Sequence, residues 1–199
     1  MVGKHWPTQL LGEALNLPNP RLRLPMLRSS IMHGHYSNPA GVSQAVLVYR
    51  DGRDVAVSHY HHLFSTNNFA SQKAQHANRK KLTAANIDDV ARNIPRYIEL
   101  AATGQLQPSL SWSQLYKRWL DAKPDMLTTS YEAMRSDTAG ELHRIQAAFG
   151  GSRSHEECAE IAERFSFERQ SGRRAGEEQT NSFLRKGIVG DWRNVFTRE

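Results

Sequence analysis

The chain has 199 residues, 39% hydrophobic and 23% charged, enough for one medium domain with its own core. Lys and Arg number 26 against 20 Asp and Glu, and the net charge of +6 points to an anionic ligand: a nucleotide, a sulfated or phosphorylated compound, nucleic acid or a membrane surface. A single cysteine, Cys158, excludes an intrachain disulfide or a thiolate metal cage, and no apolar run approaches the ~18 residues of a membrane span, so a soluble cytoplasmic domain over 1–199 is expected.

In chain order, apolar periodicity predicts helices over 6–15 and 54–64, over 87–100 despite Pro95, and over 112–121, 139–149 and 155–164. Cys158 falls in the last of these, where a thiol is a small buried packing residue. Short apolar runs at 29–32, 45–49 and 126–129 are the strand candidates, each ending in a polar residue that can reach a ligand. The second, "QAVLVYR", lacks polar alternation, as expected of a strand covered on both faces of a parallel sheet. The polar tract 67–81 reads as a mobile loop or frayed helix over a cleft, and 170–181 as a further flexible loop. Strand and helix alternation of this kind implies an α/β fold of three layers, a central parallel sheet with helices on both faces. Ligands then collect outside the carboxyl ends of the strands, where His35, Arg50 and Tyr131 fall.

In "VLVYRDGRDVAVSHY" a strand runs into Arg50, turns through Asp51 and Gly52, and enters a helix whose expected cap is Asp54. Arg50 and Ser58 can converge on one phosphate as a guanidinium fork plus a neutral donor. The other reading pairs Arg50 with Asp51 or Asp54 and leaves Ser58 uninvolved. A second basic stretch, "FLRKGIVGDW", sets Arg185 and Lys186 beside Gly187 and Gly190, which let the main chain approach an anion and donate N–H groups. Its alternative is a solvated basic turn anchored by Phe183 and Trp192. Two histidines in "SSIMHGHY", His33 and His35, are candidate bases, because an imidazole with a pKa of about 6.5 can accept a proton at neutral pH. His59, His61 and His62 prompt a metal reading, but there is no H-E-x-x-H or equivalent signature, and no metal is expected.

"RKGIVGDWRNVFT" resembles the signature of PAPS-dependent sulfotransferases, R-K-G-x-x-G-D-W-[KR]-N-x-F-T. "YRDGRDVAVSHY" is similar to that family's R-N-P-x-D-x-x-x-S-Y element, "TTSYEAMRSD" to its Y-E-D-M/L strand end and "FSFERQ" to its T-S-F segment, all in family order. The resemblance implies a P-loop-like sulfotransferase fold and transfer of a sulfuryl group from 3′-phosphoadenosine-5′-phosphosulfate (PAPS) to an acceptor hydroxyl or amine, without metal, leaving adenosine 3′,5′-bisphosphate (PAP). It assigns Arg50, Ser58, Arg185, Lys186 and Gly187 to the 3′-phosphate. Tyr131 takes the adenine edge, Trp6 stacks on the ring, and Phe167 and Phe183 complete the nucleotide site. The family layout of two apolar residues, a basic residue, a small residue and then His selects His35 over His33 as general base.

At the N-terminus, "MVGKHW" is similar only to the tail of the family's P-K-S-G-T-T-W loop around the 5′-phosphosulfate: Gly3 fits the glycine, Lys4 and His5 stand at the threonines, and Trp6 fits the tryptophan. Met1 falls where the family places its lysine, and the first strand is missing, so the resemblance implies a domain incomplete at both ends. The acceptor is open: a carbohydrate, lipid, phenol or small metabolite is compatible, as is a homodimer. Two rival functions stand beside transfer: a truncated domain that holds 3′-phosphoadenosine nucleotides without reacting them, and a basic nucleic-acid-binding module prompted by tracts such as "NRKKL". The second explains the charge but not the ordered motifs, and no nucleic-acid partner is expected.

Overall fold

A computed structural model describes residues 6–19, 29–34, 38–40, 42–64, 72–106, 112–123 and 125–196. In chain order the elements are α1 (Trp6–Ala14), β1 (Val46–Tyr49), α2 (Gly52–Phe64), α3 (Gln72–Arg79), α4 (Val90–Ala102), α5 (Trp112–Ala122), β2 (Leu127–Ser130), α6 (Tyr131–Ser136), α7 (Thr138–Ala148), α8 (His155–Arg164), α9 (Phe167–Ser171) and a 3-10 turn at Asp191–Asn194. The chain divides into two compact units: Met1–Tyr49 with Ala122–Arg174, and Arg50–Asp121 with Ala175–Glu199.

The first unit carries the parallel sheet expected of an α/β fold. β1 and β2 pair in parallel from Val46 opposite Leu127 to Tyr49 opposite Ser130. A parallel pair cannot be closed by a tight turn, and the chain between these strands is the long helical crossover such pairing requires. The two-residue pleat sends Val46 and Val48 into a core of Leu10, Leu11, Ala14, Met134, Leu142, Ile145, Cys158 and Ile161, supplied by α1, α6, α7 and α8. Val46, Leu47 and Val48 are all half-buried and Tyr49, at the end of the strand, is 46% exposed, so β1 is less covered than its apolar run predicts. Each of the following helices starts on a side-chain oxygen that accepts an otherwise unpaired N–H. Ser130 accepts from Ala133 N at 2.9 Å, Asp137 from Gly140 N at 2.8 Å, and Ser154 from Glu157 N at 3.1 Å, with Glu157 returning to Ser154 N as a capping box.

Helix 155–164 falls where its pattern predicts, while the run at 29–32 is not a strand. Residues 29–34 have no ladder partner among the described residues, and Ile31 N instead donates to Pro18 O at 2.9 Å. Four residues with one apolar pair do not specify a strand when the local bonds go elsewhere. Within the tract read as loop or frayed helix, residues 72–79 form α3, because Gln, Lys, Ala and Arg are all good helix formers even without an apolar stripe.

In the second unit, Tyr60, Leu63 and Phe64 of α2 pack with Ile94, Tyr97 and Leu100 of α4 and with Leu106. Asn93, fully buried, organises the entry to α4: its amide donates to Tyr60 Oη at 3.1 Å and Asn86 O at 3.0 Å and accepts from Ala84 N at 2.7 Å. Tyr60 in turn donates to Ile87 O at 2.7 Å. Val195 and Phe196 join the same cluster, which fastens the stretch after the 3-10 turn to this core. No helix among the described residues is long and apolar enough to cross a membrane.

Candidate functional site

The start of α2 is built from "RDGRD". Asp51, not Asp54, occupies the capping position: its carboxylate accepts from Arg53 N at 2.9 Å and its carbonyl from Val55 N. Arg53 also pairs with Asp51, at 2.6 Å, and its guanidinium lies 3.7 Å from the centre of the Trp192 ring. That releases Asp54 for another task. Only 1% exposed, it accepts from Gly190 N at 2.7 Å through Oδ2 and from Trp192 N at 3.0 Å through Oδ1. The loop 183–192 is therefore docked on the first turn of α2 by one carboxylate bonded to its main chain.

Arg50 completes this dock. Its Nη2 lies 3.3 Å from Asp54 Oδ2 and donates to Ile188 O at 3.1 Å. Arg50 thus makes the pairing with Asp54 that one sequence reading expects, and it also bonds the main chain of the loop that carries Arg185 and Lys186. Those two cations share Asp191, whose carboxylate accepts from Arg185 Nη2, from Lys186 Nζ at 2.8 Å and from Asn194 Nδ2 at 3.0 Å. Burial alone would raise the Asp191 pKa, but the bonds from Lys186, Arg185 and Asn194 outweigh it and hold the carboxyl well below the usual range. Asp191 in turn raises the Lys186 pKa and keeps that ammonium charged.

Glu178 closes the outer side of the pair, 2.5 Å from Arg185 Nη1 and 3.4 Å from Lys186 Nζ. The backbone permits this fold of the loop because Gly187 and Gly190 take left-handed φ of +65° and +80°. At Gly190 a Cβ would also stand 2.1 Å from Arg193 Nη1. Ser58 is exposed in the middle of α2, and Phe183, 47% exposed, meets His62 edge-on with ring centres 6.2 Å apart.

Of the three helical histidines, His59 shares a 2.5 Å bond between Nδ1 and Tyr97 Oη, and His61 is buried. Burial, followed by the positive charge of Arg185, lowers the His61 pKa. Among the described residues no group of His, Cys, Asp or Glu is arranged to hold a metal ion.

In the first unit, Trp6 lies edge-on to Tyr131 with ring centres 6.1 Å apart, and Arg135 stands 5.9 Å from the Trp6 ring. Tyr131 follows β2 directly as the first residue of α6. Phe167 is buried, with the Arg173 guanidinium 5.4 Å over its ring. His33 is half-buried, whereas His35, Gly3, Lys4 and His5 lie outside the described residues. Sequence reasoning missed Asp54 as the tether, Asp191 as the buried counter-ion and Glu178 as the outer partner. The aspartates stand inside motifs that were singled out, while Glu178 sits in a polar loop with no local signal.

Residues 13–199 match the model of the sulfotransferase domain. Sulfotransferase 1E1 of Cavia porcellus is 27% identical over 164 residues, covering 76% of this chain and 49% of that protein. Amine sulfotransferase of Oryctolagus cuniculus is 26% identical over 201 residues, covering 92% of this chain and 58% of that protein. The chain thus spans about half the length of the curated relatives it matches. Among solved structures, mouse sulfotransferase SULT7A1 complexed with PAP aligns with a TM-score of 0.57 and 26% identity over 78% of this chain and 53% of that one. Retinol dehydratase in complex with androsterone and inactive cofactor PAP aligns with a TM-score of 0.52 and 23% identity over 77% of this chain and 43% of that one, a likeness of fold. With the family model spanning nearly all of its sequence, the chain belongs to the sulfotransferase domain family.

Proposed function

We propose that the chain binds the nucleotide sulfuryl donor PAPS and acts in sulfuryl transfer to the hydroxyl or amine of a small-molecule, lipid or carbohydrate acceptor. The observation that carries this reading is the docking of Arg50 and of the Arg185–Lys186 pair through one loop, since a dianionic phosphate needs several converging cations. In the second unit Arg50, Arg185, Lys186, the open backbone at Gly187 and the hydroxyl of Ser58 take the 3′-phosphate. On the family resemblance, Trp6, Tyr131 and Phe167 in the first unit are assigned to adenine, Phe183 in the second unit to the nucleotide site, and Gly3, Lys4 and His5 to the 5′-phosphosulfate.

The bound donor supplies a sulfuryl group held in a phosphate–sulfate anhydride, from which PAP departs through its 5′-phosphate oxygen as a good leaving group. The protein's part is to hold the nucleotide by its far phosphate and to take the acceptor's proton, a role assigned to His35. Holding the donor in place lowers the entropic share of the barrier, as in phosphoryl transfer. No residue of this scheme requires a metal.

Calorimetry with PAP, alongside a sulfation assay with PAPS, tests the reading. Wild-type protein should bind PAP well above adenosine 5′-monophosphate, and Arg185→Ala with Lys186→Ala should weaken PAP by about two orders of magnitude, given the worth of charged hydrogen bonds. Equal affinity for the two nucleotides would overturn it. Binding without turnover would reduce the function to nucleotide holding.

A further inference from the structure

Arg50, Arg185 and Lys186 bring three positive charges to this loop, and Asp54, Asp191 and Glu178 answer them with three negative ones. A cluster balanced in this way attracts a dianion weakly, so a phosphate gains most by exchanging with one of the carboxylates. The three are not equally exchangeable. Asp54 is spent on two backbone N–H groups, and its side chain is fully buried beside Arg50. The Asp191 side chain is 4% exposed and accepts from three donors. Removing either would strand buried donors, at a cost well above that of a surface pair.

The Glu178 side chain is 35% exposed and meets the pair at Arg185 Nη1 and, at the longer distance of 3.4 Å, at the Lys186 Nζ that Asp191 already holds at 2.8 Å. Its position is set by the main chain. Gly176 N donates to Lys186 O at 2.8 Å and Gln179 N donates to Arg185 O at 2.9 Å, so residues 176–179 are laced alongside the two cations. Gly176 takes a left-handed φ of +99°, a conformation the lacing needs and a side chain would resist.

We propose that Glu178 competes with the nucleotide 3′-phosphate for Arg185 and Lys186, and that residues 176–179 form a strap that sets the affinity of the donor site. The proposal rests on the reading of that pair as phosphate ligands. When the phosphate arrives, the carboxylate turns out to solvent while Asp191 stays and keeps the pair aligned. With Glu178 turned out, three cations face two carboxylates and the phosphate in its place, and the strap re-engages as product leaves. No bond is made or broken in this exchange. It would moderate product retention, because the group that must be displaced on binding assists departure.

Glu178→Gln tests this, since it keeps the shape of the side chain and removes its charge. PAP affinity measured by calorimetry should tighten about 3- to 10-fold, the scale of losing one charged competitor that is partly solvated. Adenosine 5′-monophosphate, which has no 3′-phosphate, should bind wild type and variant alike, which separates an effect on the pair from a general change in the site. Unchanged or weaker PAP binding in the variant, with wild type still preferring PAP, would overturn the strap and leave the donor reading intact. Failure of both proteins to prefer PAP over the monophosphate would remove the donor reading and the strap with it.

Discussion

Leu142 and Ile145 of α7 meet Cys158 and Ile161 of α8 in an apolar cluster, whereas the loop 183–192 is held by two buried carboxylates, Asp54 on its main chain and Asp191 on its cations. The first arrangement rests on no titrating charge and fails by leaving a cavity. The second is ordered by charge and by hydrogen bonds that have exact partners, and fails when any partner is neutralised. On the proposed donor reading a phosphate is exchanged by charge, which would make the charged loop the region that responds and the apolar cluster the region that stays put.

The largest expected effect is on the apolar side. Leu142, fully buried, becomes a cavity in Leu142→Ala and should cost about 3 kcal/mol of unfolding free energy, read in denaturant, with the acid limb of the stability profile unchanged. Next comes Asp191→Asn, which removes the charge that both cations share and should cost about 2 kcal/mol near neutrality. Its pH dependence sharpens the contrast. The Asp191 pKa is held below its ordinary 3.8, so its contribution is fully present above that value and is lost as pH falls through it towards the lower folded-state pKa. The gap between wild type and Asp191→Asn should therefore begin to narrow below about pH 4 and shrink progressively on further acidification, and a constant gap down to lower pH would contradict a charged origin. The smallest effect belongs to Ser154→Ala, which opens the capping box of α8 and should lower stability by about 1 kcal/mol without altering nucleotide affinity.

Local chemistry made part of this legible. Helix 155–164 carries its cap, its acidic first turn and its apolar spacing within one stretch, and all three agree. Arg50 could be placed at a strand end because the apolar run before it is short and followed by Asp-Gly. The capping aspartate was misassigned within "RDGRD" because either acid suits a helix start, and the choice depends on Gly190 and Trp192, whose N–H groups arrive from far along the chain. The same limit applies to Glu178. Nothing in "GEEQTN" marks one glutamate as a partner for Arg185, since that pairing follows from the lacing of two loops.

Gly190 and Trp192 are separated from Asp54 by 136 and 138 residues, and Ile188 from Arg50 by 138. Contacts of such long sequence span carry a large closure entropy and are late to form, so this corner should be among the last parts of the molecule to consolidate during folding. In a chain emerging from the ribosome, Asp54 is made long before the N–H groups that donate to it exist. It then sits in the first turn of α2, where an acid favours helix growth through the dipole. One carboxylate is thereby used twice in time, first to seed a helix and afterwards to receive the tail.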